Sequence, residues 1–202
     1  CESIIPNWLR FIPGIIDSQD ISLNISREML QNNPVISKIK KGITNKIINE
    51  LKLLSEKEKD KYLKFWENFG SVIKEGLYEY NDFHEKLLPL LKFKSTISDD
   101  WISLDDYLNK MQKDQKEIYY FSNFDKDKID LIKSPQLETF IEKKIPVIFM
   151  TDPVDDFWLP NIGKYKEKEF KSITKGKINL KDLSKNKQKN ENKEINDLIN
   201  IL

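Results

Sequence analysis

The chain reads as a mixed α/β protein, helix-rich, and three observations carry that reading. A long stretch of helical periodicity runs from Pro34 to about Leu91. Two short β-branched and aromatic runs follow it, Ile118-Tyr119-Tyr120-Phe121 and Pro146 to Met150. Between those runs Ser134-Pro135 sets an N-cap and then a proline at the first helical position, the start of a helix to about Lys143. Strand, helix and strand in that order pack most economically as a βαβ layer.

At the N-terminal end, Ile4 to Phe11 reads as a short helix around Pro6, and Ile12 to Ile16 as a short buried strand ended by the polar stretch Asp17 to Asp20. Ser26 is a good N-cap for a helix opening at Arg27. An arginine there is oddly placed, because the helix dipole at that end favours anions. Its guanidinium and the free backbone N–H groups both suit a phosphate; the plainer alternative is an ordinary surface arginine at a helix start. Gln31 lies one turn later on the same face.

From Pro34 to Leu54 the apolar positions Ile36, Ile39, Ile43, Ile47, Leu51 and Leu54 step by three and four along one face, with lysines 38, 40, 41, 46 and 52 on the others as a solvated surface. Ser55-Glu56-Lys57-Glu58 reads as the cap of a second helix with Tyr62, Leu63, Phe65, Trp66, Phe69 and Val72 as its apolar set, its frayed end bracketed by Gly70 and Gly76. His84 to Leu91 reads as a third, shorter helix. A second part starts near Ser95, where Ser103-Leu104-Asp105-Asp106 approximates a capping box for a short helix ending near Met111. Phe170 to Thr174 is a third strand candidate. Lys181 to Lys193, rich in lysine and asparagine, reads as a linker, and Ile195, Leu198, Ile199 and Leu202 as the beginning of a further domain.

Composition excludes several function classes. Lys+Arg 34 against Asp+Glu 33 leaves no global electrostatic case for nucleic acid or a membrane surface. One cysteine, Cys1, and one histidine, His84, argue against a disulfide framework or a Cys/His metal cluster. No run approaches the roughly 18 apolar residues of a membrane span. The six glycines, at 14, 42, 70, 76, 163 and 176, form no phosphate-cradling GxxxxGK[ST] loop. Because it opens on Cys1 rather than methionine, the sequence is expected to be a piece of a longer chain.

The segment Ile12-Pro13-Gly14-Ile15-Ile16-Asp17-Ser18-Gln19-Asp20, with Leu23 through Gln31, resembles the catalytic-loop region of the heat-shock protein 90 chaperone family. Further matches follow in order: Phe65-Trp66 with Phe69-Gly70, Lys74-Glu75-Gly76, Leu90-Leu91-Lys92-Phe93, Ser103-Leu104, Ile118-Tyr119-Tyr120, Ser134-Pro135 and Thr151-Asp152-Pro153-Val154-Asp155. The resemblance runs from about residue 1 to about residue 180 and implies that family's middle domain, less its first part. It implies residues 1–33 as the end of a larger αβα subdomain carrying the arginine loop, 34–94 as a connecting coil of helices, 95–180 as a small αβα subdomain, and 181–202 as a linker into a C-terminal domain.

The same resemblance implies that Arg27 reaches the γ-phosphate of ATP, with Gln31 assisting and Asn24 shaping the loop. The ATP and its Mg²⁺ are expected in a separate N-terminal domain, so this piece alone is expected to bind no cofactor and to be inactive. It further implies a client-binding patch at Asp156, Phe157 and Trp158, although bacterial-type members commonly carry Glu-Trp where Asp156-Phe157 stand, and Pro160 departs from their asparagine. The alternative for these aromatics is a helix that buries them. Expected partners are the N-terminal ATPase domain in cis, unfolded clients, co-chaperones and a second copy of the longer chain through its C-terminal domain. Lys74-Glu75-Gly76 resembles the bacterial and organellar branch, which leaves cytoplasm, mitochondrion and plastid open. A non-enzymatic interaction module of the same fold is the alternative reading.

Overall fold

The computed structural model describes residues 5–15, 34–79, 82–124 and 131–175. Among them lie six α-helices: α1 (Pro34–Lys57), α2 (Lys59–Tyr78), α3 (His84–Leu87), α4 (Leu104–Asn109), α5 (Pro135–Glu142) and α6 (Asp155–Ile162). Six strands accompany them: β1 (Lys92–Ser95), β2 (Ser98–Ser103), β3 (Glu117–Ser122), β4 (Val147–Met150), β5 (Lys164–Tyr165) and β6 (Lys168–Ser172). Two compact units share the chain. A helical unit takes Cys1–Lys92 and Asp152–Ile162; a sheet unit takes Phe93–Thr151 and Gly163–Leu202.

In the helical unit α1 and α2 pack on each other. The apolar stripe of α1 is turned slightly from the expected one: Ile36, Thr44, Ile48 and Leu51 are buried, while Ile39, Ile43 and Ile47 lie at its half-buried margin. Ser55 and Glu56 are inside α1, not a cap, and the break between the two helices falls at Glu58, which makes no side-chain cap. Gly70 and Gly76 likewise sit inside α2, both buried, and the helix ends beyond them at Tyr78. They serve close approach: a Cβ at Gly76 would lie 2.8 Å from the Trp8 ring and 3.0 Å from Leu87 Cδ1.

Trp8, buried on that helix, belongs to a 3₁₀ turn at Asn7–Leu9, where a longer helix was expected. The strand expected over Ile12–Ile16 is absent from residues 12–15, and Ile15 is 95% exposed. Pro13 has no N–H for a ladder and Gly14 weakens any strand. The third helix is shorter than expected, with α3 continuing as a 3₁₀ turn at Leu88–Leu90.

The sheet unit holds a six-stranded mixed sheet in the order β2-β1-β4-β3-β6-β5. β3 is central, parallel to β4 with Tyr120 opposite Ile148, and parallel to β6 with Ile118 opposite Phe170. Helix α5 connects β3 to β4, the expected βαβ unit, and its Leu137 and Phe140 pack with Tyr119, Phe121, Val147 and Phe149. The expected capping box is present: Ser103 Oγ accepts from Asp106 N–H at 3.0 Å, and Asp106 Oδ2 accepts from Ser103 N–H at 2.9 Å. Tyr107 of α4 ties three segments, donating to Pro146 O at 2.7 Å and accepting from Tyr119 N–H and Gln115 Nε2 at 2.8 and 2.9 Å. The hairpin β1–β2 and strand β5 were not anticipated from the sequence.

One buried hydroxyl in α1 has no hydrogen-bond partner, Thr44 Oγ1. An unpaired buried polar group of this kind costs about 1–3 kcal/mol. Thr44→Val keeps shape and β-branching while removing the hydroxyl, so it is expected to raise unfolding free energy by about 1 kcal/mol. Guanidinium denaturation of the two chains measures this, and a lower midpoint for the valine variant contradicts it.

Candidate functional site

Helix α2 organises the helical unit around a short run of its last turns. Lys74, Gly76 and Leu77 are buried, Glu75 is half-buried, and Tyr78 is exposed. Lys74 and Tyr78 stand one turn apart and therefore share a face. That face meets α6.

The start of α6 is written in Asp152-Pro153-Val154-Asp155, where an acidic residue, a proline and a second acidic residue are spaced as a helix opening. Asp155 Oδ2 accepts the backbone N–H of Asp152 at 3.2 Å, closing the turn that leads into α6. The Asp152 side chain is thereby available elsewhere, and it accepts from Lys74 Nζ at 2.7 Å. Lys74 Nζ also lies 2.9 Å from Asp155 Oδ1 and 3.0 Å from Oδ2. The Trp158 indole Nε1 completes the cluster by donating to Asp155 Oδ1 at 2.7 Å. The lysine side chain is 3% exposed and that of Asp155 0%, while Asp152, at 36%, stands at the cluster's solvent edge.

Burial by itself works against the Lys74 ammonium, but Asp155 and then Asp152 outweigh it and hold the lysine above its ordinary 10.5. Burial pushes the Asp155 carboxyl up from the usual carboxylate range, with Lys74 and Trp158 pulling it back. A cluster so enclosed fixes position more than it adds stability, since desolvation offsets much of the attraction. It sets the register of α6 on α2. One turn beyond it, Tyr78 and Phe157 meet edge to face, with ring centroids 5.8 Å apart and planes at 71°. Both are open to solvent, at 56% and 59% exposure, so two aromatic rings stand at the surface on a buried pin.

A second anchor lies on the next residues of α2. Arg10 Nη1 and Nη2 donate to the two carboxylate oxygens of Glu75 at 2.5 and 2.8 Å, a bidentate fork. Trp8 rests on Gly76, and Phe11 packs on Phe65 and Phe69 at 5.4 and 4.8 Å between ring centroids. In the sheet unit a cavity of about 330 Å³ is lined by Phe121, Ser122, Asn123, Leu131, Ser134, Gln136 and Thr174. Among the described residues its lining carries no cation, which does not suit a triphosphate.

Comparison with known proteins gives this geometry a context. A family model described as Hsp90 protein matches residues 1–202. The chain belongs to the heat-shock protein 90 family. It is 49% identical over 191 residues to the chaperone protein HtpG of Ehrlichia canis, a match covering 93% of this chain and 30% of that protein. It is 47% identical over 175 residues to HtpG of Paramagnetospirillum magneticum, covering 86% of this chain and 27% of the relative. The chain thus spans about a third or less of the length of these relatives. Among solved structures it is similar to the middle domain of a heat shock protein from Plasmodium falciparum, with TM-score 0.72 and 34% identity, covering 87% of this chain and 68% of the other.

For this heat-shock protein 90 chain, the residues expected to act on ATP, Asn24, Arg27 and Gln31, lie outside the described residues. Of the client-patch residues, Asp156 and Phe157 are at the surface, whereas Trp158 is fully buried. The Trp158 ring is core, because its N–H is used by Asp155 and its side chain points into the unit. Tyr78 and Lys74 are additions that sequence reasoning missed. The i, i+4 spacing of Lys74 and Tyr78 beside Asp155 and Phe157 was the available signal, but it has meaning only once α6 is known to lie on α2.

Removing one partner of such a cluster leaves an uncompensated buried charge. Lys74→Met is expected to lower unfolding free energy by roughly 3–5 kcal/mol, and Lys74→Met/Asp155→Asn to recover most of it, as read by denaturant titration at neutral pH. The pH dependence follows from the raised lysine. Its stabilisation is complete below its ordinary 10.5 and fades as pH rises through the higher folded value, so wild type and Lys74→Met should converge in stability in strongly alkaline buffer. A constant gap across that range contradicts the ion-pair account.

Proposed function

We propose that this chain is the part of an ATP-driven molecular chaperone that supplies a catalytic arginine and a portion of the client-binding surface. What carries the reading is the arginine motif, Asn24 through Gln31, standing in a chain that belongs to the heat-shock protein 90 family. The likeness to the middle domain of a heat shock protein supports the same assignment. On this reading ATP and its Mg²⁺ are held by an N-terminal domain acting in cis. Bound nucleotide supplies the phosphoryl group that is transferred to water.

Arginine suits the role given to Arg27 because its planar guanidinium can grip two phosphate oxygens and offset charge that builds on them during transfer. On this reading Gln31 assists in phosphate or water contacts, and Asn24 shapes the loop or reaches the same site. Domain closure brings the nucleotide to Arg27 and so gates hydrolysis. The client side of the proposal rests on Phe157 with Asp156. An exposed aromatic pair, Phe157 and Tyr78, offers contact area at small entropic cost to apolar segments of an unfolded chain. Co-chaperones, and a second copy joined through a C-terminal domain, complete the proposed set of partners.

Two measurements on the longer chaperone test these roles separately. Arg27→Ala is expected to cut ATP turnover by about 10³–10⁵ while leaving nucleotide affinity nearly intact; near-normal turnover would sink the arginine assignment. A photo-crosslinker at position 157 should capture an unfolded client, and Phe157→Ala should weaken client affinity by about tenfold, on the order of one buried aromatic contact. Crosslinking no stronger than from an unrelated surface position, such as Lys52, removes the client assignment. A chaperone that binds clients but turns over no ATP would instead favour a non-enzymatic interaction module of the same fold.

A further inference from the structure

We infer that the exposed rings of Tyr78 and Phe157 take client segments in which an arginine or lysine stands beside an apolar residue, in preference to segments that are apolar alone. The inference rests on the client-binding role proposed above for Phe157 and adds the chemistry that the site selects. Two observations carry it, the ring faces left open and the sign of the charge around them.

An edge-to-face contact uses the edge of one ring and one face of the other, so ring faces are left over. At 56% and 59% exposure, Tyr78 and Phe157 turn theirs to solvent. A ring face is the negative pole of the aromatic quadrupole and attracts an ammonium or guanidinium group placed over it. Elsewhere in the chain that contact is made internally: Lys94 Nζ lies 4.8 Å from the centre of the Trp101 ring and Lys92 Nζ 5.5 Å from that of Tyr62. Among the described residues no cation stands over Tyr78 or Phe157.

The carboxylates decide which partner suits those faces. From Asp152 to Ile162 the chain carries Asp152, Asp155 and Asp156 and no basic residue. The Lys74 ammonium answers Asp152 and Asp155, at 2.7 and 2.9 Å. Asp156, exposed beside Phe157, has no ion-pair partner among the described residues. Across Tyr78, Glu79 lies in the field of Lys40, so the excess negative charge is on the α6 side. The chain as a whole carries +1, which makes this a local feature. The helix dipole favours acids in a first turn but leaves them charged. An uncharged segment laid on Phe157 displaces water from Asp156 and gives its carboxylate nothing in return, whereas a basic one satisfies carboxylate and ring together. Each exposed contact is weak, so the two together favour the basic segment by about 5-fold.

The test uses the longer chaperone and a set of fluorescein-labelled, unstructured peptides. Each has Gly-Ser repeats around a core of leucine, phenylalanine and one variable residue, either arginine, its uncharged isostere citrulline, or glutamate. Fluorescence anisotropy at about 50 mM KCl is expected to show the arginine peptide binding about 5-fold more tightly than the citrulline peptide, with the glutamate peptide weakest. In wild type the arginine advantage should shrink below about 2-fold at about 500 mM KCl, where surface charges are screened. At low salt it should also shrink below about 2-fold in Asp156→Asn, which removes the carboxylate charge, and in Phe157→Leu, which keeps an apolar side chain and has no ring face. A wild type that binds the arginine and citrulline peptides equally overturns the inference, and so does an undiminished advantage in both variants. The salt series on wild type decides without any variant. Phe157→Ala in the same assay separates the two levels. If it binds all three peptides as tightly as wild type, the client role itself is overturned; if it binds them more weakly while wild type shows no arginine advantage, the selectivity alone is overturned.

Discussion

The helical unit depends on one ammonium group placed where ammonium groups are rarely found. Lys74 lies within a helix whose neighbours Ile73 and Leu77 are wholly buried, and it survives there because Asp152 and Asp155 converge on its Nζ. Apolar side chains in that space would satisfy the hydrophobic driving force at least as well. What they would not supply is direction. A leucine at the same place would tolerate α6 rotated or slipped by a fraction of a turn, whereas one cation between two carboxylates, one of them also held by the Trp158 indole N–H, accepts a single arrangement. Orientation of α6 thus follows from charge, and the position of every side chain on that helix follows from its orientation.

The sheet unit is organised on a different physical basis. Its central strand β3 is flanked by parallel neighbours and covered by α5, so its register is fixed by apolar packing on Tyr119 and Phe121. Polar precision enters at the hydroxyl of Tyr107, which is pushed up in pKa by burial and serves as both donor and acceptor among three segments. At the β5–β6 turn Lys166 and Glu167 adopt φ of 45° and 64°, a left-handed conformation that favours glycine or asparagine. Asp105 compensates by accepting from Tyr165 Oη at 2.7 Å and from Lys166 Nζ at 2.6 Å. The same carboxylate thereby ties the hairpin to α4.

Much of this was legible from residue order, where the physics is local. Helical periodicity from Pro34, the Ser103–Asp106 box, the proline-led start of α5 and the aromatic run of β3 each depend on neighbours within a few positions, and each appears nearly where periodicity put it. Glycine misled, because Gly70 and Gly76 have the same local meaning as helix terminators and differ only in what presses against them. The run Ile12–Ile15 misled for the complementary reason: apolarity suggested a strand, but a strand needs a partner, and the proline within the run removes a donor. Of the candidate site, the exposed Phe157 could be guessed from resemblance, yet its neighbour Tyr78 and the pin beneath it could not. Their relation spans strands β1 to β4 in sequence. The burial of Trp158 beside an exposed Phe157 was equally invisible, since two adjacent aromatics on a short helix can be assigned to core and surface in either order.

That span has a bearing on how the chain acquires its structure during synthesis. Lys74 and Asp155 are 81 residues apart, and the strands of the sheet unit up to β4 lie between them. On a ribosome adding residues from the N-terminus, the two long helices α1 and α2 emerge complete while their lysine still lacks its counter-charges. For that interval the lysine must keep its charged end in water, and the face of α2 that α6 later covers stays open. The helical unit can close only after strands β1 to β4 of a different unit have been made, so its last step is a long-range encounter of the kind that slows folding. A stretch of exposed apolar helix is thus built into the birth of the molecule, and a chain proposed to shelter such stretches in others passes through that condition itself.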